Sequence, residues 1–182
     1  LKRFIPGMFL ALICAQLIMP PPMRAQAAFA EYQHKAVYML NFLKFVEFPY
    51  ESFGDSVAPI VIGVVGTDPF GPVLQQVVEG KVVQGRNLVV RNYHMGEDMR
   101  RVNILFISAS ERKHLPQILA SLQGSGVLTL ADLDGFLEQG GMVLFQSNNG
   151  RARFAINLGA ASLARAKISS KLLSVARLTG EN

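Results

Sequence analysis

The stretch "IVIGVVGTDPFGPVLQQVVEG", Ile60 to Gly80, decides the fold class of this chain. Its opening run, Ile60–Gly66, is continuous, apolar and rich in β-branched residues, the pattern of a strand covered on both faces. Asp68, as N-cap, with Pro69 or Pro72 in the first turn, then marks a helix entry, and Gly80 marks its stop. A buried strand that runs into a helix is the opening half of a βαβ unit. The pattern recurs downstream. "NLVVRNY" (Asn87–Tyr93) follows the turn signal "QGR", and "VNILFIS" (Val102–Ser108) and "GVLTL" (Gly126–Leu130) read as further strands. Ser110 caps a helix that ends near Leu122, with Pro116 inside it, and "DLDGFLEQGG" reads as a short helical turn. "MVLFQS" and "RARFAIN" flank "NNG" (Asn148–Gly150), a hairpin signal. Phe29–Phe48 reads as a first helix stopped by Pro49, and a last helix runs from Leu158 to the neighbourhood of Leu178. The expected fold is α/β: a single domain with a mainly parallel five- or six-stranded sheet, helices on both faces, and a C-terminal β-hairpin plus helix.

The amino-terminal residues read differently. Lys2 and Arg3 precede an apolar run from Phe4 to Met19, and "AQA" follows at Ala25–Ala27. A basic start, a short apolar stretch and small residues at an A-x-A site are the features of a secretory signal peptide. Pro6 and Pro20–Pro22 argue against a spanning helix. The reading is therefore a cleaved signal peptide over residues 1–27 and a domain over 28–182, which makes the protein an exported one.

Removal of that peptide changes the meaning of the charge. The whole chain carries +5, but without Lys2, Arg3 and Arg24 it holds 15 basic against 13 acidic residues. The remainder gives little support for nucleic-acid binding, and no basic run with interleaved aromatics occurs. The distribution is uneven: residues 28–150 hold 9 basic and 12 acidic residues, and 151–182 hold 6 basic and 1 acidic. Cys14 is the only cysteine and leaves with the peptide, so the domain has neither disulfides nor thiolate chemistry.

Motifs for chemistry are missing. Gly63, Gly66 and Gly71 do not have the G-x-G-x-x-G spacing, and Asp68 puts negative charge where a phosphate would sit. Asp132–Gly135 lacks the ligands of a calcium loop and reads as a turn with a helix cap. His34, His94 and His114 have no metal-ligand spacing, and "FISASER" is not a nucleophile elbow. No catalytic residue, metal site or cofactor is expected.

The first helix carries the strongest functional signal. At 100° per residue, Tyr32, Ala36, Met39, Leu40, Leu43 and Val46 share one arc, while Tyr38, Phe42 and Phe45 fall nearly opposite. Lys44 and Glu47 are spaced to pair on its surface. A second apolar stripe must be covered, either by another part of the same domain, such as the loop at Tyr50–Phe53, or by a partner or second copy of the chain. In the last helix, Ala161, Ala164, Ile168, Leu172 and Val175 form the core face, and Arg165 falls near its centre, either snorkelling out or facing a partner site.

These segments resemble a known family. "KAVYMLNFLKFVEFP", "IGVVGTDPFG", "GKVVQGRNLVV", "VNILFIS", "LTLADLDGFLEQGGMV", "GRARFAINL" and "ISSKLLSVARL" are similar, in that order, to the YfiR family of exported proteins. The resemblance implies a small periplasmic α/β protein, often dimeric, with no enzymatic activity. It would bind and repress the periplasmic sensor region of an inner-membrane diguanylate cyclase and so limit cyclic-di-GMP signalling and biofilm formation. An outer-membrane lipoprotein would relieve the repression. Relatives commonly carry redox-sensitive cysteines, and the domain read here has none, so thiol control is not expected. The residues expected to contact a partner or form a homodimer are Tyr38, Phe42, Phe45 and Arg165. The alternative is a periplasmic sensor of a nucleotide or amino acid, with Gly66, Thr67 and Asp68 lining a site at the carboxyl ends of the strands.

Overall fold

Ile60–Val65 is an interior strand (β2) of the sheet in the computed structural model, with both faces covered. The structure describes residues 23–49, 52–55, 57–148 and 151–179. Residues 1–22 of the expected signal peptide and the hairpin tip at 149–150 lie outside them. In chain order the elements are α1 (Met23–Phe45), β1 (Val46–Glu47), β2, α2 (Pro72–Val78), β3 (Val82–Val83), β4 (Arg86–Tyr93) and β5 (Ile104–Ile107). A 3₁₀ turn (Ala109–His114) leads to α3 (Leu115–Ser121) and β6 (Leu128–Ala131). Then follow β7 (Val143–Asn148), β8 (Arg151–Asn157), α4 (Leu158–Leu163), β9 (Lys167–Ile168), α5 (Ser170–Leu173) and β10 (Arg177–Thr179).

The main sheet has eight strands in the order β10-β8-β7-β6-β5-β2-β4-β3. The α/β architecture is as expected, with the short edge strands β3 and β10 enlarging the sheet. Strands β7, β6, β5, β2 and β4 are mutually parallel, and β7 pairs antiparallel with β8, from Val143↔Ile156 to Asn148↔Arg151. Alternate side chains of the strands feed two separate cores. On one face Ile60, Ile62, Val64, Ile104 and Phe106 pack under α1 and α2. On the other, Val65, Leu105 and Ile107 pack under Leu115, Ile118, Leu133 and Phe136. Gly63 is needed for close packing, since a Cβ there would lie 2.9–3.1 Å from Leu105, Val102 and Tyr93.

Two helices depart from expectation. The first stops at Phe45 rather than Phe48, because its last carbonyls are claimed from outside the helix. The Gln84 side-chain amide donates to the Leu43 and Val46 carbonyls, both at 3.0 Å, and the Ser169 N–H donates to the Phe45 carbonyl at 2.8 Å. Val46 and Glu47 then pair with Ile168 and Lys167 in a two-stranded ribbon, β1–β9. Lys44 and Glu47 therefore do not share a helix surface, and the Lys44 ammonium donates to Asn41 Oδ1 instead.

The last helix is broken into α4 and α5. Arg165 has φ 60°, and the Ala166 N–H reaches back to the Ala161 carbonyl, the closing bond of a left-handed helix cap. Asn157 Oδ1 accepts the Ala160 N–H, and Ser169 Oγ accepts that of Lys171, so each short helix has its own N-cap. Leu172 is buried as expected of the core face, but Val175 is 70% exposed. Pro116 is accommodated in the first turn of α3, after the 3₁₀ segment.

The second aromatic stripe of α1 is covered from within the chain, by the β7–β8 hairpin. Phe42 is 0% exposed, with ring centroids 4.9 Å from Phe154 and 5.9 Å from Phe145. Tyr38, half-buried, lies 5.5 Å from Phe154. The β7–β8 hairpin thus lies beneath the helix, which is why a helix with two apolar sides is stable here. Phe42→Ala is expected to destabilise the fold by about 3–5 kcal/mol in urea unfolding, as for a core aromatic. An unchanged midpoint with altered oligomeric state would instead assign Phe42 to an interface.

Candidate functional site

The direction of the strands locates the places where this fold can do something. Counted by themselves, the parallel strands run in the order 2-1-3-4-5, one of the two common doubly wound arrangements. Its switch point lies between the carboxyl ends of β2 and β5, where open α/β sheets bind ligands. Gly66, Thr67 and Asp68 leave β2 there, and Ser108 to Glu111 leave β5.

That crevice is filled by the chain itself. The Thr67 N–H donates to Ser110 Oγ at 2.9 Å, and Ser110 Oγ donates to Glu111 Oε1 at 3.3 Å. Glu111 Oε2 lies 2.9 Å from His114 Nδ1. Gly66, with φ 90°, is what permits the approach: a Cβ there would lie 2.3 Å from Ser110 Oγ. Asp68 Oδ1 accepts the Phe70 N–H at 2.8 Å, so its carboxylate shapes the turn into α2 and leaves the helix cap to Gly71. The three residues meet at the switch point, with Thr67 and Asp68 already bonded to their own chain.

A second cluster, invisible in the local sequence, sits at the carboxyl end of the neighbouring strand β6. Lys35 of α1 is 2% exposed, yet carries an ammonium. It lies 2.5 Å from Asp132 Oδ2 and 2.7 Å from Glu31 Oε1, and 4.2 Å from the centre of the Tyr32 ring. The Tyr32 hydroxyl donates to the same Asp132 oxygen at 2.9 Å, and its ring meets Phe70 edge-on at 5.3 Å. A buried ammonium is tolerated only when paired and hydrogen-bonded, and here two carboxylates and an aromatic face supply that. Asp132 is thus an anchor for α1, not the helix cap read from "DLDG". Glu31 and Lys35 have visible i,i+4 spacing, but Asp132 is 97 positions from Lys35. Burial first, and then the charges of Asp132 and Glu31, push the Tyr32 hydroxyl well above its ordinary value of 10.0.

The contact residues expected from the sequence are dispersed by the fold. Phe42 is enclosed in the core, a correction to its assignment to the far side of α1. Tyr38 and Phe45 are half-buried, packed against the same core. Arg165 is exposed at the left-handed turn after α4. Phe45 does border an open cleft of about 500 Å³ with Lys44, Glu47, Lys167, Ile168 and Lys171, along the β1–β9 ribbon. Among the described residues no group of three or more His, Cys, Asp or Glu is placed to hold a metal ion. No described helix is long and apolar enough to cross a membrane.

The Lys35 cluster generates two expectations. Asp132→Asn should destabilise the fold by about 3–5 kcal/mol in urea unfolding, because it leaves a buried ammonium short of a partner. Tyr32 gives a pH dependence whose sign follows from its raised folded value. Its contribution is fully present below the unfolded value of 10.0 and is lost as pH rises toward the folded one, because the unfolded chain releases the proton first. Stability should therefore fall above pH 10 in wild type, and less steeply in Tyr32→Phe, in denaturant titrations at fixed pH.

Comparison with known proteins gives the family. Residues 32–177 match the domain family DUF4154, described as YfiR/HmsC-like. A search of curated proteins finds no match. Among solved structures, a conserved domain protein from Vibrio cholerae O1 biovar El Tor str. N16961 is similar with a TM-score of 0.54 at 11% identity. The alignment covers 81% of this chain and 60% of that one, a likeness of fold. The family match runs from Tyr32 in α1 to Arg177 in β10 and so takes in both the Lys35 anchor and the switch point; the chain belongs to the YfiR/HmsC-like family.

Proposed function

We propose that this protein is a non-enzymatic periplasmic regulator, exported by a signal peptide over residues 1–27. In this reading it binds and represses the periplasmic sensor region of an inner-membrane diguanylate cyclase. Repression lowers cyclic-di-GMP and biofilm formation, and an outer-membrane lipoprotein relieves it. The observation that carries the reading is the family match over residues 32–177. It fits a switch-point crevice occupied by the chain's own Ser110 and Glu111.

The contact surface proposed is the end of α1 with the turn that follows α4. Phe45 borders the cleft beside Lys167, and Arg165 is exposed two residues earlier. Tyr38 supports this corner from the aromatic layer over the hairpin, and the buried Phe42 fixes the helix that presents it. A second copy of the chain on the same surface would give a homodimer that competes with the sensor.

The alternative, a periplasmic sensor of a nucleotide or amino acid, places its ligand at Gly66, Thr67 and Asp68. It requires Ser110 and Glu111 to yield the crevice. A ligand bound at 100 times its Kd would add about 2.7 kcal/mol of stability, which a thermal-shift screen detects.

The test of the leading reading is a pull-down from membranes, joined to a measurement of cyclic-di-GMP in a deletion strain. Recovery of a membrane cyclase and a rise in cyclic-di-GMP are expected. An unchanged level, with no membrane sensor recovered, would sink the proposal. Arg165→Glu should leave the unfolding midpoint nearly unchanged and weaken sensor binding about tenfold or more, the loss of one interface hot spot.

A further inference from the structure

The carboxyl-terminal segment has a charge pattern that the fold gathers into one surface. From Gln139 to Gly180 the chain contains no Asp or Glu, while Arg153, Arg165, Lys167, Lys171 and Arg177 all lie within it. All five side chains are exposed. The ion pairs among the described residues lie elsewhere: Lys35 with Glu31 and Asp132, Arg100 with Asp98, and His114 with Glu111.

The short helix α5 joins two open clefts. At its start, Lys44, Lys167 and Lys171 line the cleft along the β1–β9 ribbon. At its end, Arg153 and Arg177 line a second cleft of about 450 Å³, with Ser174 and Val175. Among the described residues Glu47 is the only carboxylate lining either, facing Lys167 across the ribbon, so their lining keeps a positive excess. Exposed aliphatic side chains stand beside these cations: Val175, at 70%, lines the second cleft, and Leu178, at 37%, follows Arg177.

We infer that this surface docks on an anionic phospholipid bilayer. A site for one discrete phosphate would hold fixed, buried donors, whereas these cations end in solvent on long stems and are spread over two clefts. Such a spread matches a diffuse sheet of headgroup charge, and aliphatic residues among the cations can enter the headgroup boundary. Each basic residue near an anionic surface strengthens partition about fivefold. The surface overlaps the corner proposed for the sensor and for a second copy, so docking on the bilayer would compete with both.

The experiment is co-sedimentation of the full chain with vesicles of phosphatidylcholine, with and without phosphatidylglycerol. The amino-terminal residues, including the basic Lys2, Arg3 and Arg24, are common to every variant, so the difference between wild type and the lysine variants isolates the surface. Binding should require phosphatidylglycerol, fall as salt rises, and drop about 30-fold when Lys167→Gln and Lys171→Gln are combined. Arg112→Gln with Lys113→Gln, on the 3₁₀ turn, should bind as wild type. Circular dichroism verifies the fold of each variant, and if the lysine pair fails to fold, Lys44→Gln with Arg177→Gln is read in its place. Equal binding to both vesicle types overturns the inference, as does wild-type binding by the folded Lys167→Gln/Lys171→Gln variant or by the folded Lys44→Gln/Arg177→Gln variant read in its place. Binding to soluble polyglutamate without binding to vesicles also overturns it and assigns the surface to an acidic protein.

Discussion

The docking of α1 on the sheet is the constraint on which the rest of the structure depends. It is fixed at two heights by different physics. At the carboxyl ends of the strands, the buried Lys35 ammonium is held by Asp132 and Glu31. Farther along, the Phe42 ring is enclosed by Phe145 and Phe154 of the hairpin. Burial of such a ring contributes roughly 1.5–3 kcal/mol and tolerates small displacements. The ion network adds little net stability for its desolvation cost, but a displaced ammonium would be strongly penalised, so it fixes position. Packing supplies most of the energy, and the charges set the register.

Once α1 is fixed, its carboxyl end organises the far side of the molecule. Gln84 and Ser169 satisfy carbonyls that the helix leaves open, and the chain passes directly into the β1–β9 ribbon. This brings Lys44 next to Lys167 and Lys171, more than a hundred residues later. The cationic surface is therefore a consequence of how the helix ends. The opposite end of the sheet has another character, because Glu111 and Asp132 follow the carboxyl ends of β5 and β6. Their carboxylates are engaged by His114 and Lys35 within the chain.

Much of the fold was legible in the sequence, and the gaps have physical causes. The strands β2, β5 and β6 were legible because apolar β-branched runs of that length have few alternatives. The hairpin strands were legible from the turn signal between them. The break after α4 was not, because its left-handed residue is Arg165, where glycine is the usual marker. Helical periodicity through "ARAKISSKLLSVARL" concealed it, although Asn157 and Ser169 are two N-cap signals in one stretch. For the site, Gly66 to Asp68 were placed correctly at the end of β2, but nothing local showed that Ser110 would reach across from β5. Asp132 looked like a turn residue, since its partner Lys35 lies in another element.

The sequence by itself determined the class of sheet, the position of a strand covered on both faces, the asymmetry of charge and the family resemblance. Each of these rests on local composition or on an ordered set of segments. Only the tertiary structure decided that the stripe at Phe42 is core, that Lys35 is bound at the strand ends, and that the late cations meet the end of the first helix. Periodicity reports which residues of a helix share a face, but a helix under a wide sheet can bury two faces at once. Which charges meet is set by strand order, and strand order is a property of the whole chain.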